Sequence, residues 1–400
     1  MSRRDSVRPV AFLQQFLRTE AASGILLLAA AVAAITLANS PLEDAYTRAR
    51  HLPIGFGEGS WRVDTTLSHA INDGLMAVFF LLVGLEIKRE FLAGELSGKG
   101  AAILPVAAAF GGAVVPALVY AFFNSGSAAA HGWGIPMATD IAFAVGVLAL
   151  LGRHVAPAFK VFLTAVAVVD DLIAVLVIAF FYTTGLDVRA LAVVAAAFAA
   201  LLALNVARVR ALAPYLSVGL VLWGAMAASG VHATIAGVLL GAAIPSAGGD
   251  ASPLRRLEHA LHPWVAYGIM PLFALANAGV TVPAGKACAM LTSPIALGIA
   301  LGLFFGKQIG IFGITFLLAR AGVGSLHVDK RARRSLWGVA LLGGIGFTMS
   351  LFVSGLAFRD DAMTDVSKAA ILAGSLISGL AGAAVLASVP PEVAGDGAGG

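Results

Sequence analysis

Once Lys160 is passed, the chain from Pro157 to Thr184 is apolar almost throughout, with no Gly or Pro after its first residue. About 20 such residues are enough to cross the bilayer hydrocarbon as a helix. Asp170 and Asp171 stand side by side at the centre of this run, where an ionisable group costs about 2.5–3.5 kcal/mol on insertion scales. Neighbours on a helix point about 100° apart, so at most one of the two carboxylates can aim straight along any single direction. The alternative is a tight loop between two shorter helices, with both acids in water. The absence of a breaker residue argues against it. A costly pair kept in a membrane points to ion or proton handling.

The same character extends over all 400 residues, which are 59% apolar and only 12% charged. Soluble domains carry about 25% charged residues, so an all-α polytopic membrane protein is expected. Twelve spans are read at 22–38, 67–87, 101–123, 132–151, 158–182, 188–206, 212–228, 230–245, 259–280, 294–319, 335–357 and 365–388. The expected organisation is one transmembrane domain over 1–388, followed by a Pro/Gly/Ala-rich, disordered tail at 389–400. Between the first two spans, residues 52–63 hold two short alternating runs around a Gly-rich turn, which reads as a β-hairpin or an irregular loop. The basic start, with Arg3, Arg4 and Arg8, imitates a signal peptide. Its long leading region and Glu20 fit an interfacial helix feeding the first span better.

Charge gives the topology. With the N-terminus in the cytoplasm, the segments on that side hold eighteen of the 26 Lys and Arg, and the outer segments hold seven. This asymmetry places both termini inside. It also accounts for the net charge of +4 without nucleic acid. Cys288 is the single cysteine, which rules out an internal disulfide and a thiolate metal site. No cofactor is expected.

The remaining charges lie where they should not. Asp73 sits near the outer start of the second span, a helix cap or a point of ion entry. Glu86, Arg89 and Glu90 form a rim at its inner end, either an interfacial anchor or a funnel for cations. Thr139 and Asp140 follow Pro136 in the fourth span, and Gly343, Gly344, Gly346, Thr348 and Ser350 interrupt the eleventh. Breaks at mid-depth mark discontinuous helices, although the glycines could merely permit close packing. If spans 3–5 and 10–12 form an inverted repeat, these are corresponding middle helices. Lys307, about thirteen residues from either end of its span, needs a buried counter-charge, with Asp140, Asp170 and Asp171 as candidates. A carboxylate out of water holds its proton more tightly. A hard cation such as Na⁺ can displace that proton, and competition combined with alternating access is exchange.

These motifs together resemble the NhaA family of bacterial sodium/proton antiporters, over about 12–385. The most specific stretches are 71–90, 138–143, 169–172, 230–234 and 344–350. The resemblance implies broken helices 4 and 11 crossing within inverted repeats, with Asp140 and Lys307 offsetting the helix-end dipoles. It implies that Asp171 is the principal Na⁺ ligand, that Asp170 is its partner and a proton carrier paired with Lys307, and that Thr139 and Asp140 lie near the cation. Glu86, Arg89, Glu90, Arg256, Glu258, His259 and His232 match the region linked to activation by alkaline pH. Na⁺, Li⁺ and H⁺ are the implied cargo, and the exchange is electrogenic. A homodimer through the 52–63 hairpin and a bacterial inner-membrane location are also implied. Gln308 departs from the Pro that commonly follows the Lys and should straighten the helix locally. Ala260 replaces a larger apolar residue. An intramembrane aspartyl protease does not fit the contexts of the acids, and a retinal pump does not fit the span count. A Na⁺-coupled solute symporter on the same architecture is the closest rival reading.

Overall fold

The computed structural model describes residues 7–56, 63–98, 100–183, 185–281, 285, 287–323 and 329–390. Nine helices among them are long and apolar enough to cross a membrane: Ala21–Ala38, Leu67–Ala93, Ile103–Asn124, Ala128–Leu151, Pro157–Phe181, Val188–Val206, Leu212–Ser229, Pro294–Arg320 and Asp361–Ala387. A tenth, Lys330–Leu342 followed by Phe347–Ala357, bends by 40° at its break. The ends are fixed locally. Asp187 accepts from Arg189 N–H at 2.7 Å to open Val188–Val206, and Asp360 accepts from Ala362 N–H at 2.8 Å to open Asp361–Ala387. Each carboxylate satisfies donors that the first helical turn leaves over.

The expected interfacial segment and first span run on as one helix, Val7–Ala38. A short helix the sequence reading did not anticipate, Glu43–Arg50, follows it. Strands Pro53–Phe56 and Val63–Thr66 pair antiparallel, Pro53 opposite Thr66 and Ile54 opposite Thr65. The turn expected at 57–62 lies outside the described residues, as does most of the expected tail. Of the two other expected spans, 230–245 contains only the nine-residue helix Ile235–Ala243. The second corresponds to a helical run over 253–277, wound as a π-helix at Val265–Ile269.

Side chains are distributed as a lipid solvent dictates. Phe122, Phe180, Leu220 and Leu380 are exposed, whereas Ser354, Ser367 and Ser378 are buried. With lipid tails as apolar as leucine, helices associate through close packing and internal hydrogen bonds. Gly111 and Gly310 meet backbone to backbone, and Gly306 lies against Pro116, so a Cβ at any of the three would have no room. This brings Pro294–Arg320, which carries Lys307, tightly onto Ile103–Asn124. Around Lys307 the helix is π-wound on both sides, at Gly302–Gly306 and Gln308–Gly313. The helix thus continues through Gln308 without a break, wound as a π-helix. The Gln308 side chain donates to Phe304 O at 2.7 Å and accepts from Trp337 Nε1 at 2.7 Å.

Candidate ion-binding site

Two interrupted helices meet beside the Pro157–Phe181 helix. The first changes from a 3-10 segment, Ala128–Met137, to the α-helix Ile141–Leu151 across 138–140. Pro136 lacks the donor that a continuous ladder needs at this depth. The second break is 343–346, in which Gly344 packs so closely on Leu303 and Ser378 that a side chain would collide.

The freed backbone groups of each break are satisfied largely by the other. Asp140 N–H donates to Ile345 O at 2.7 Å, Thr139 Oγ1–H to Gly343 O at 2.8 Å, and Ser350 Oγ–H to Ile135 O at 2.7 Å. The Asp140 carboxylate serves two helix starts at once. Its Oδ1 accepts from Phe143 N–H at 3.0 Å, while Oδ2 accepts from Thr348 N–H at 3.1 Å and from the Thr348 hydroxyl. Two positive helix ends thus share one negative charge. Ser375, on Asp361–Ala387, accepts from Gly346 N–H at 3.2 Å and Phe347 N–H at 3.1 Å. Sequence reasoning passed over Ser375. The available signal was the pair of hydroxyls Ser375 and Ser378, one turn apart in the apolar later part of the helix.

Asp170, Asp171 and Lys307 are 1%, 2% and 0% exposed. Lys307 Nζ donates to Asp170 Oδ2 at 2.8 Å and to Thr139 Oγ1 at 2.9 Å. Thr139 therefore links the lysine to the second break. Among the described residues, Oδ1 of Asp170 and Oδ1 of Asp171 are buried with no hydrogen-bond partner. An acceptor left in this state is costly. Two adjacent carboxylates with spare oxygens are a donor set for a small hard cation, which prefers oxygen ligands.

A model of the Na⁺/H⁺ antiporter 1 family matches residues 14–386. A relative from Bordetella parapertussis, named Na(+)/H(+) antiporter NhaA, is 52% identical over 392 residues, covering 96% of this chain and 98% of its own. The chain belongs to this antiporter family. Relatives of the same name from Caulobacter vibrioides (52% identical over 387 residues, 95% of this chain and 91% of theirs) and Mesorhizobium japonicum (50% over 392, 96% of each) agree with it. Membership together with the apolar helices makes this a multi-pass membrane transporter, not an enzyme.

The other residues singled out from the antiporter motifs fall into two groups away from the Asp pair. Arg89 bridges Glu90 at 2.8 Å and also pairs with buried Glu258, tying Leu67–Ala93 to Pro253–Trp264. Glu86 lies on the same helix, one turn before Glu90. Arg256 and His259 are exposed on Pro253–Trp264. Asp73 stands 3.7 Å from both His69 and His232, and the His232 ring meets Phe352 edge-on at 5.3 Å. His232 thus belongs with Asp73 rather than with the Arg89 cluster. Gly344, Gly346 and Thr348 lie at the second break.

Proposed function

We propose that this protein exchanges Na⁺ for H⁺ by alternating access, with Asp171 and Asp170 as the shared site. The observation that carries the reading is the pair of buried, unpartnered Oδ1 atoms beside an ion-paired lysine. Na⁺ or a proton occupies Asp171. Cation binding at Asp170 competes with Lys307 for the same carboxylate, so loading Na⁺ loosens the ion pair and favours proton release. More than one proton per Na⁺ makes the cycle electrogenic. Thr139 holds the lysine, and Asp140 holds the two helix starts against the cavity. Li⁺, equally hard, is expected to substitute.

The architecture behind this reading is twelve spans with inverted repeats at spans 3–5 and 10–12 and two discontinuous crossing helices, the fourth and eleventh. Residues 1–388 form one domain with both termini in the cytoplasm of a bacterial inner-membrane protein, and 389–400 form a tail. The 52–63 hairpin is the contact of a homodimer. Glu86, Arg89, Glu90, Arg256, Glu258 and His259 form the inner funnel and, with His232, tune the response to pH. Asp73 lines outer access.

The test is Na⁺-driven proton movement in inside-out vesicles with no other solute added. Wild-type vesicles are expected to take part in exchange, and Asp171→Asn vesicles to lose it by at least about a hundredfold, as expected when a group essential to proton exchange is removed. Unchanged exchange in the variant would overturn the site assignment.

A further inference from the structure

We infer that the end of the bundle where the first and last apolar helices finish is a phospholipid site specific for a zwitterionic phosphoethanolamine headgroup. Ala38 is the last residue of Ala21–Ala38 and Asp361 the first of Asp361–Ala387, so this end lies at the boundary between apolar and polar layers. A cavity of about 210 Å³ opens there, and Arg50, Lys368, Asp361 and Asp365 contribute charges to its wall. Two cations and two carboxylates match a phosphate joined to an ammonium group and do not favour a purely anionic headgroup.

The charges are built in rather than scattered. Arg50 is held over the Tyr46 ring at 5.6 Å, and its Nε is buried without a hydrogen-bond partner among the described residues. Tyr46 is fixed in turn by donating to Leu275 O at 2.6 Å. The Lys368 side chain is only 9% exposed, and its recorded ion pair with Asp365 is 3.8 Å long, beyond hydrogen-bond reach. Lys368 therefore retains donor capacity beside the cavity, and Arg50, which also lines it, keeps one buried N–H without a partner.

A second cavity of about 220 Å³ adjoins the same three elements about one turn deeper, and its lining is apolar: Ile35 on the first helix, Val280 on the connecting segment, and Leu372 and Ala373 on the last helix. Ala38 to Ile35 and Lys368 to Leu372 are single-turn steps along one face of each helix. A polar chamber and an apolar one, set one turn apart along the same two helices, with Ala287, Met290 and Leu291 of the short Ala287–Leu291 helix also lining the apolar one, match the layering of one phospholipid, headgroup beside acyl chain. A soluble zwitterion would use only the first chamber.

The test is native mass spectrometry of the full-length protein in detergent, with dioleoyl phosphatidylethanolamine, dioleoyl phosphatidylglycerol or glycerophosphoethanolamine added. Phosphatidylethanolamine adducts and a matching rise in melting temperature are expected for the wild type. R50A and D365N are each expected to reduce adducts about tenfold, the size of one charge-assisted contact. L372W, which fills the deeper chamber and leaves the charges in place, should reduce them similarly. Equal binding of phosphatidylglycerol, or undiminished adducts in R50A or L372W, overturns the proposal. Binding of glycerophosphoethanolamine as strong as that of the lipid overturns the lipid assignment. Loss of dimers with adducts retained would make the occupant a second copy of the chain.

Discussion

At the scale of single residues, Lys307 is a fully buried cation. Its neighbours are Asp170 and Thr139, at 2.8 and 2.9 Å. Removing one member of a buried ion pair leaves the other uncompensated, at about 3–5 kcal/mol. Lys307→Ala is therefore expected to lower the melting temperature by several degrees and to alter the dependence of exchange on pH. Differential scanning calorimetry and vesicle assays over a pH series measure both, and an unchanged melting point and profile would show that the pair carries no weight. The importance of Asp170, Asp171, Asp140 and Lys307 was legible in the sequence because a charge in a long apolar run is conspicuous. Which of the three acids pairs with Lys307 came only from the family resemblance, which implied Asp170, since residue pattern alone does not say how four helices pack. Ser375 escaped for the opposite reason: a serine in an apolar helix is ordinary until its partner is seen.

At the scale of elements, the two interruptions were legible through Pro136 and through Gly343, Gly344 and Gly346. How each was satisfied was not, because hydrogen bonds between residues about 200 positions apart leave no local pattern. The π winding around Lys307 was equally hidden, as reading a sequence with a 3.6-residue period assumes the winding it seeks. Ser375 allows an element-level prediction. Gly346 and Phe347 N–H would lose their acceptor in Ser375→Ala, at about 1–3 kcal/mol per unsatisfied group. That should misplace the start of Phe347–Ala357 and raise the KM for Na⁺ several-fold, with less effect on kcat. Ser375→Thr, which keeps the hydroxyl, should restore the KM. If Ser375→Ala alters the melting temperature alone, the serine only supports the fold.

At the scale of the whole molecule, the Arg89–Glu258 pair joins two helices, Leu67–Ala93 and Pro253–Trp264. Glu258→Gln takes one negative charge from that cluster, making it more positive and less able to hold protons. The midpoint of exchange activity against pH is expected to move to lower pH, with a melting temperature a few degrees lower. Assays at several fixed Na⁺ concentrations would check the shift, and an unmoved midpoint would remove this pair from the pH response.

The contact between the two breaks has a mechanical consequence. Its segments are stitched in both directions, through Asp140 to Ile345 and through Ile135 to Ser350, so bending there would break several bonds at once. It behaves as a rivet rather than a hinge. At Gly111 and Gly310, by contrast, the two helices meet through backbone alone, with no side chain between them.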